Sequence, residues 1–206
     1  MRRSVLLLAL VFALAFNNRP AEARLIGDAA LSYSAERSVT VNGRSYAGMV
    51  FHIPGHDRHE QEIGGIAEVV ILDAAHRLGW LVLPALKSYV EFAFPALMAE
   101  LDAPDLRRSP VGQETVNGVR TTKYRIDHTA ADGSRARGFL WVSAQNVLMR
   151  LDGTVSRPGA RHGTAIRMEL TDLAVAPQAP ALFELPPGLV KLPSAALQGL
   201  LGGRAG

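Results

Sequence analysis

The chain has no cysteine among its 206 residues. That absence excludes thiol nucleophiles, disulfides and cysteine-ligated metals, and it excludes a lipid anchor, which would need a cysteine directly after an export signal. Lysine is nearly absent too: Lys87, Lys123 and Lys191 are the only three. Aromatic residues make up 6%. A second long apolar run is also lacking. The one run, Val5 to Phe16, has 12 residues, too few to cross a hydrocarbon core of roughly 30 Å.

What precedes and follows that run gives it a meaning. Arg2 and Arg3 stand before it, and Ala21-Glu22-Ala23 supplies a small-x-small cleavage pattern after it. Residues 1–23 are expected to be a secretory signal peptide, and 24–206 a single domain exported to the periplasm, with secretion as the alternative. Removing the signal takes away three arginines and one glutamate. The remainder carries 19 basic and 18 acidic residues, a net of +1. The pI of about 9.6 therefore overstates the basicity of the processed chain. Its arginines are scattered along the sequence with no aromatics interleaved, and nucleic acid is excluded as a partner.

Alternation dominates the pattern. Leu31, Tyr33, Ala35, Val39 and Val41 fall on one face of a strand, and Asn42-Gly43 marks a two-residue hairpin. Ala47, Met49, Phe51 and Ile53 repeat the alternation. Arg58 to Gly65 reads as a polar strand expected at the surface by its composition, and Glu68–Asp73 and Gly79–Pro84 as compact apolar ones. Thr122, Tyr124 and Ile126, then Ile166, Met168 and Leu170, give further one-sided strands. The stretch Pro180–Pro193 is proline-bounded, as edge segments are. A helix is expected from Pro95 to Leu106, and Ser194 to Gly203 could form another. These signals predict a mainly β (α+β) domain: one antiparallel meander of about 9–11 strands, curved into a half-barrel with a short helical lid.

Motifs that carry chemistry are largely missing from the sequence. There is no G-x-S-x-G elbow, no glycine-rich phosphate loop and no H-E-x-x-H, and no local arrangement links serine, histidine and aspartate. No catalytic residue, metal site or cofactor is assigned. One cluster stands out: His52, His56, Asp57, His59, Glu60 and Glu62 occupy a single hairpin. Its imidazoles and carboxylates could gather around zinc or copper, or they could be solvated charges that discourage strand pairing.

A second candidate is apolar surplus. Residues 80–83 and 139–142 are apolar on both strand faces, and both are expected near the middle of the sheet, with Pro84 at the turn after the first. A single sheet with one buried face cannot hide both, which leaves a lid, a cavity, or both. The candidate lining is Trp80, Leu81, Leu83, Tyr89, Phe92, Phe139, Trp141 and Met149.

Val69 to Phe92, with its apolar run, Asp73, Trp80-Leu81-Val82-Leu83-Pro84 and Lys-x-Tyr-x-Glu, resembles a group of exported bacterial domains related to the outer-membrane lipoprotein carriers (LolA-like and LolB-like). Glu114–Asp127, Gly138–Ser143, Val147–Gly153 and Ala181–Gly188 are similar to later strands of those domains in the same order. The resemblance implies a strongly bent antiparallel sheet around a helical lid, with acyl chains held in the apolar space. The strand pattern reveals no counterpart of the carriers' inward-facing arginine. The leading expectation is a monomeric, non-catalytic envelope protein that binds a lipid or acylated protein. The alternatives are a protein-interaction or sensory module with a packed core, and a metal-binding accessory protein using the His52–Glu62 hairpin.

Overall fold

The structure is a computed structural model and describes residues 29–93, 108–129 and 133–193. The expected signal peptide, the Pro95–Leu106 helix that would form the lid, and the tail from Ser194 lie outside the described residues. Twelve strands make one sheet: β1 (Tyr33–Val41), β2 (Arg44–Ile53), β3 (His56–Ile63), β4 (Ile66–Asp73), β5 (Leu78–Leu83), β6 (Ser88–Ala93), β7 (Arg108–Val116), β8 (Val119–Thr129), β9 (Arg135–Ser143), β10 (Leu148–Ser156), β11 (Thr164–Val175) and β12 (Val190–Leu192).

The order across the sheet is β12-β6-β5-β4-β3-β2-β1-β11-β10-β9-β8-β7. The chain thus makes two meanders, β1–β6 and β7–β11, rather than the single one expected, and β1 joins them by pairing antiparallel with β11. Short turns with residues in the left-handed region make the hairpins possible. Asn42 and Gly43 have φ of 49° and 82°, the mirror-image turn geometry that matches strand twist. β12 departs from the pattern by pairing parallel with β6. It sits at the sheet edge, as its proline-bounded sequence suggests.

Register fixes which side chains share a face. Tyr33, Ala35, Arg37, Val39 and Val41 lie opposite His52, Val50, Gly48, Tyr46 and Arg44 on β2, and opposite Leu170, Met168 and Ile166 on β11. We call this face inner. Following the pairs outward, it carries Asp57, His59 and Gln61 on β3, Glu68, Val70 and Leu72 on β4, and Leu81 on β5. In the other direction it carries Leu151, Leu140, Tyr124 and Ile126. Most of these side chains are buried. Each fully buried aliphatic side chain contributes about 1.5–3 kcal/mol.

The second face is covered at two places, and this resolves the two-sided apolar strands. β5 and β9 are each third from an edge, not central. After β11 the chain runs through a 3-10 turn, Pro180–Phe183, and lays Leu185 and Leu189 on Val69, Ile71, Val82, Trp80 and Tyr89. Phe183 is buried with its ring edge-on to His56, and Arg58 Nη1 donates to the Leu182 carbonyl at 3.1 Å. This strap ends as β12, where Lys191 donates to Glu91 at 2.7 Å and Trp80 Nε1 donates to the same carboxylate.

Over β9 the cover is different. Lys123 Nζ lies 4.8 Å from the Trp141 ring and 4.9 Å from that of Phe139, and the Arg150 guanidinium is 5.4 Å from Trp141. Long cationic side chains shield the aromatic surface with their stems while keeping their charges near water. Asn117, at the β7–β8 turn, donates to the Leu170 carbonyl at 2.7 Å. Two strands separate β8 from β11 in the sheet order, so this bond records how tightly that end of the sheet is curled.

Candidate functional site

β3 is polar, yet it is neither exposed nor an edge. It lies between β2 and β4, and its inner-face residues Asp57, His59 and Gln61 are 2%, 7% and 9% exposed. The expected exposure of this strand is not observed, because a polar side chain can be satisfied by buried partners as well as by solvent. The polar groups are instead bonded to one another and to neighbouring strands.

The centre of this arrangement is Arg37, 5% exposed, which occupies the inner-face position between Ala35 and Val39. Gly48 stands directly across from it on β2. The Arg37 guanidinium donates from Nη1 to His59 Nδ1 at 2.8 Å and from Nη2 to Gln61 Oε1 at 3.1 Å. It is an inward-facing arginine on an otherwise largely apolar strand face. Burial pushes its pKa down to about 10, against the opposing pull of Asp57 and Tyr33, so it remains a cation at neutral pH. Burial first, and the charges of Arg37 and His52 next, hold His59 well below the ordinary imidazole range.

A second pair lies beside the first. His52 Nε2 donates to the Ala29 carbonyl at 3.1 Å, since a carbonyl can only accept. Its Nδ1 is 2.9 Å from Asp57 Oδ1. A proton must occupy that second contact. The pair is therefore either imidazolium with carboxylate or imidazole with carboxylic acid. Tyr33 stacks on His52 with ring centroids 5.0 Å apart and fixes its plane.

The hairpin residues singled out in the sequence divide between faces. His52, Asp57 and His59 point inward together, whereas His56 and Glu60 alternate with them and stand on the outer face with Arg58. Arg58 Nε donates to Glu60 at 2.7 Å. Among the described residues no group of three or more histidines, aspartates and glutamates is placed to hold a metal ion.

The apolar candidates divide as well. Leu81, Leu83 and Phe92 share the inner face. Trp80 and Tyr89 are on the outer face beneath the strap. Phe139 and Trp141 are outer-face residues under Lys123, and Trp141 Nε1 donates to Glu114 at 2.7 Å. Met149 is fully buried at the β9–β10 bulge. The inner face therefore holds two apolar fields, around Leu81, Leu83 and Val90 on one side and Leu140, Leu151 and Met168 on the other. The Arg37–His59–Gln61 strip runs between them.

No protein-family pattern matches the chain, and no curated protein matches it. Solved structures do. An uncharacterized conserved protein from Thermus thermophilus superposes with a TM-score of 0.54 at 9% identity, over 91% of this chain and 98% of that one. MucB in a Pseudomonas aeruginosa MucA/MucB complex superposes with a TM-score of 0.51 at 14% identity, over 88% of this chain and 61% of that one. A LolA superfamily protein, NE2245 from Nitrosomonas europaea, matches at a TM-score of 0.41 and 10% identity, over 80% and 94% of the two chains. At these identities the likeness is one of fold alone.

Proposed function

We propose that the protein is a non-catalytic carrier or sensor of the cell envelope that binds the acyl chain of a lipid or lipoprotein against the inner face of its sheet. The observation that carries this reading is that inner face: two apolar fields on one twelve-stranded sheet. Among the described residues the only helical turns are Pro84–Leu86 and Pro180–Phe183, and the second of these lies against the outer face. The Leu81–Leu83–Phe92 side supplies apolar area for a hydrocarbon chain, at about 0.8 kcal/mol for each CH₂ buried. Nothing in the Arg37 strip resembles a nucleophile paired with a base, because His52 and His59 are already committed to Asp57, Ala29 and Arg37.

The test is native mass spectrometry of protein purified from an envelope fraction, together with titration of a fluorescent fatty acid. A co-purifying lipid and saturable fluorescence are expected. Absence of both would remove the reading. Docking of another protein is the second reading, supported by the likeness to MucB, which was solved with MucA. It is expected to give a stable crosslinked complex and no lipid.

A further inference from the structure

The arginines that look scattered in the sequence are gathered by the topology. From Arg125 to Arg167 the sequence contains seven arginines and three aspartates. Register places the start of β2, the end of β1, the start of β11, the end of β10 and the start of β9 at the same end of the sheet. Val41 pairs with Arg44 and with Ile166, Val155 with Thr164, and Ser156 with Arg135. Arg44, Arg135, Arg137, Arg157 and Arg161 thus lie along one rim, with His162 beside them.

The rim is built rather than incidental. The loop between β10 and β11 turns tightly, with Ala160 N donating to the Arg157 carbonyl at 3.1 Å and Gly159 at φ 73°. Pro158 sits so close to Gly133 that an added Cβ there would meet its ring at 2.9 Å. The loop and the connection before β9 are therefore close neighbours at this end of the sheet. Asp127 pairs with Arg135 and Arg137 at 3.0 and 3.3 Å. Among the described residues Arg44, Arg157 and Arg161 form no salt bridge, and all three are exposed.

We propose that this rim docks the protein on an anionic lipid membrane surface. Five adjacent strands, β2-β1-β11-β10-β9, spread the guanidiniums over about 19 Å at the usual strand spacing. A charge spread that wide suits a continuous layer of phosphate headgroups better than a single phosphate. Guanidinium groups engage phosphate oxygens in pairs, and attraction to an anionic leaflet rises with each basic residue near it. Among the described residues the rim carries no exposed aromatic side chain, which argues against single-stranded nucleic acid.

The experiment uses residues Arg24–Gly206, the chain expected after removal of the signal, in co-sedimentation with phosphatidylcholine vesicles lacking or containing phosphatidylglycerol, at low and high salt. Binding is expected only to the phosphatidylglycerol vesicles, with salt weakening it. Arg157→Glu with Arg161→Glu should lower partitioning at least ~10-fold, with an unchanged circular dichroism spectrum because both residues are exposed loop positions. Arg44→Glu, on a separate hairpin, should weaken it in the same direction. Equal binding to neutral vesicles, no binding to anionic ones, or unaltered binding by both variants would overturn the proposal. Retention on polyglutamate without vesicle binding would also overturn it, in favour of an acidic protein partner. Fatty-acid titration of the same variants should match the parent protein, so failure here is separable from failure of the acyl reading.

Discussion

Arg37 Nη1 and His59 Nδ1 are 2.8 Å apart in the middle of the sheet. A guanidinium has no acceptor, so this contact requires an unprotonated Nδ1 on His59. Protonating His59 at both nitrogens would set two buried cations against each other.

The sign of the resulting pH dependence follows. The folded state holds His59 below its ordinary value of 6.5, so the unfolded chain binds that proton more readily. Stability from this group is fully present above about pH 6.5 and is lost as pH falls from there through the depressed folded value. Urea midpoints measured from pH 8 downward should decline below about pH 6.5. His59→Gln keeps an oxygen acceptor for Arg37 and should flatten the decline between pH 6.5 and 5.5. An identical slope in that variant would assign the effect to another group.

Removing the cation tests the same strip from the other side. Arg37→Ala leaves His59 Nδ1 and Gln61 Oε1 without the donor they share, and each unsatisfied buried group costs about 1–3 kcal/mol. A loss of about 2–4 kcal/mol in urea unfolding is expected. A change under 0.5 kcal/mol would mean that water replaces the guanidinium without cost.

Gly48 faces Arg37 across the β1–β2 ladder, and a Cβ on it would collide with the Glu60 backbone carbonyl. Main chain cannot rotate away as a side chain can. Gly48→Ala should therefore destabilise by at least about 2 kcal/mol and lower the protection of the β2–β3 amides from hydrogen exchange. A variant as stable as the parent protein would show that β3 can shift at that point.

These residues also show what was legible in the sequence. The curved antiparallel sheet was readable because period-two alternation and Asn-Gly turns are local signals, and Tyr33–Val41 and Thr164–Val175 carry them plainly. Arg37 was readable in principle: it sits in phase with Ala35 and Val39, and a charge on an apolar face is a mark of a buried partner. Its partners on β3 were not, since Asp57, His59 and Gln61 look like any exposed polar alternation until register places them opposite His52, Val50 and Gly48. The two-sided strands gave a correct signal, that cover is needed on both faces. The cover over β4 and β5 depends on contacts more than 90 residues apart, such as Leu185 on the Val69–Ile71–Val82 cluster, which no local pattern encodes.

The division by face predicts which apolar residues matter for a bound acyl chain. Leu81→Asn and Phe92→Ser alter the inner face and should weaken fluorescent fatty-acid binding about tenfold or more, given about 1.5–3 kcal/mol per buried side chain. Tyr89→Ser alters the strap side and should lower stability while leaving affinity within about threefold in the folded fraction, because a residue off the binding face acts on folding alone. Equal losses at both faces would place the ligand elsewhere.

The strap itself makes the last prediction. Phe183 is 6% exposed against His56, and its neighbours Leu185 and Leu189 cover the outer side of β4 and β5. Truncating the ring leaves a hole between strap and sheet, and Phe183→Ala should cost about 3 kcal/mol. Hydrogen exchange should quicken first at Val190–Leu192 and Ser88–Val90, because β12 is held to β6 over only three residues. Loosening the strap should also bare Val69, Ile71 and Val82, which a rise in fluorescence of an apolar dye would report. If Phe183→Ala unfolds at the parent's urea midpoint and binds no dye, the strap is an ornament on a sheet that stands without it, and the two-sided strands need another explanation.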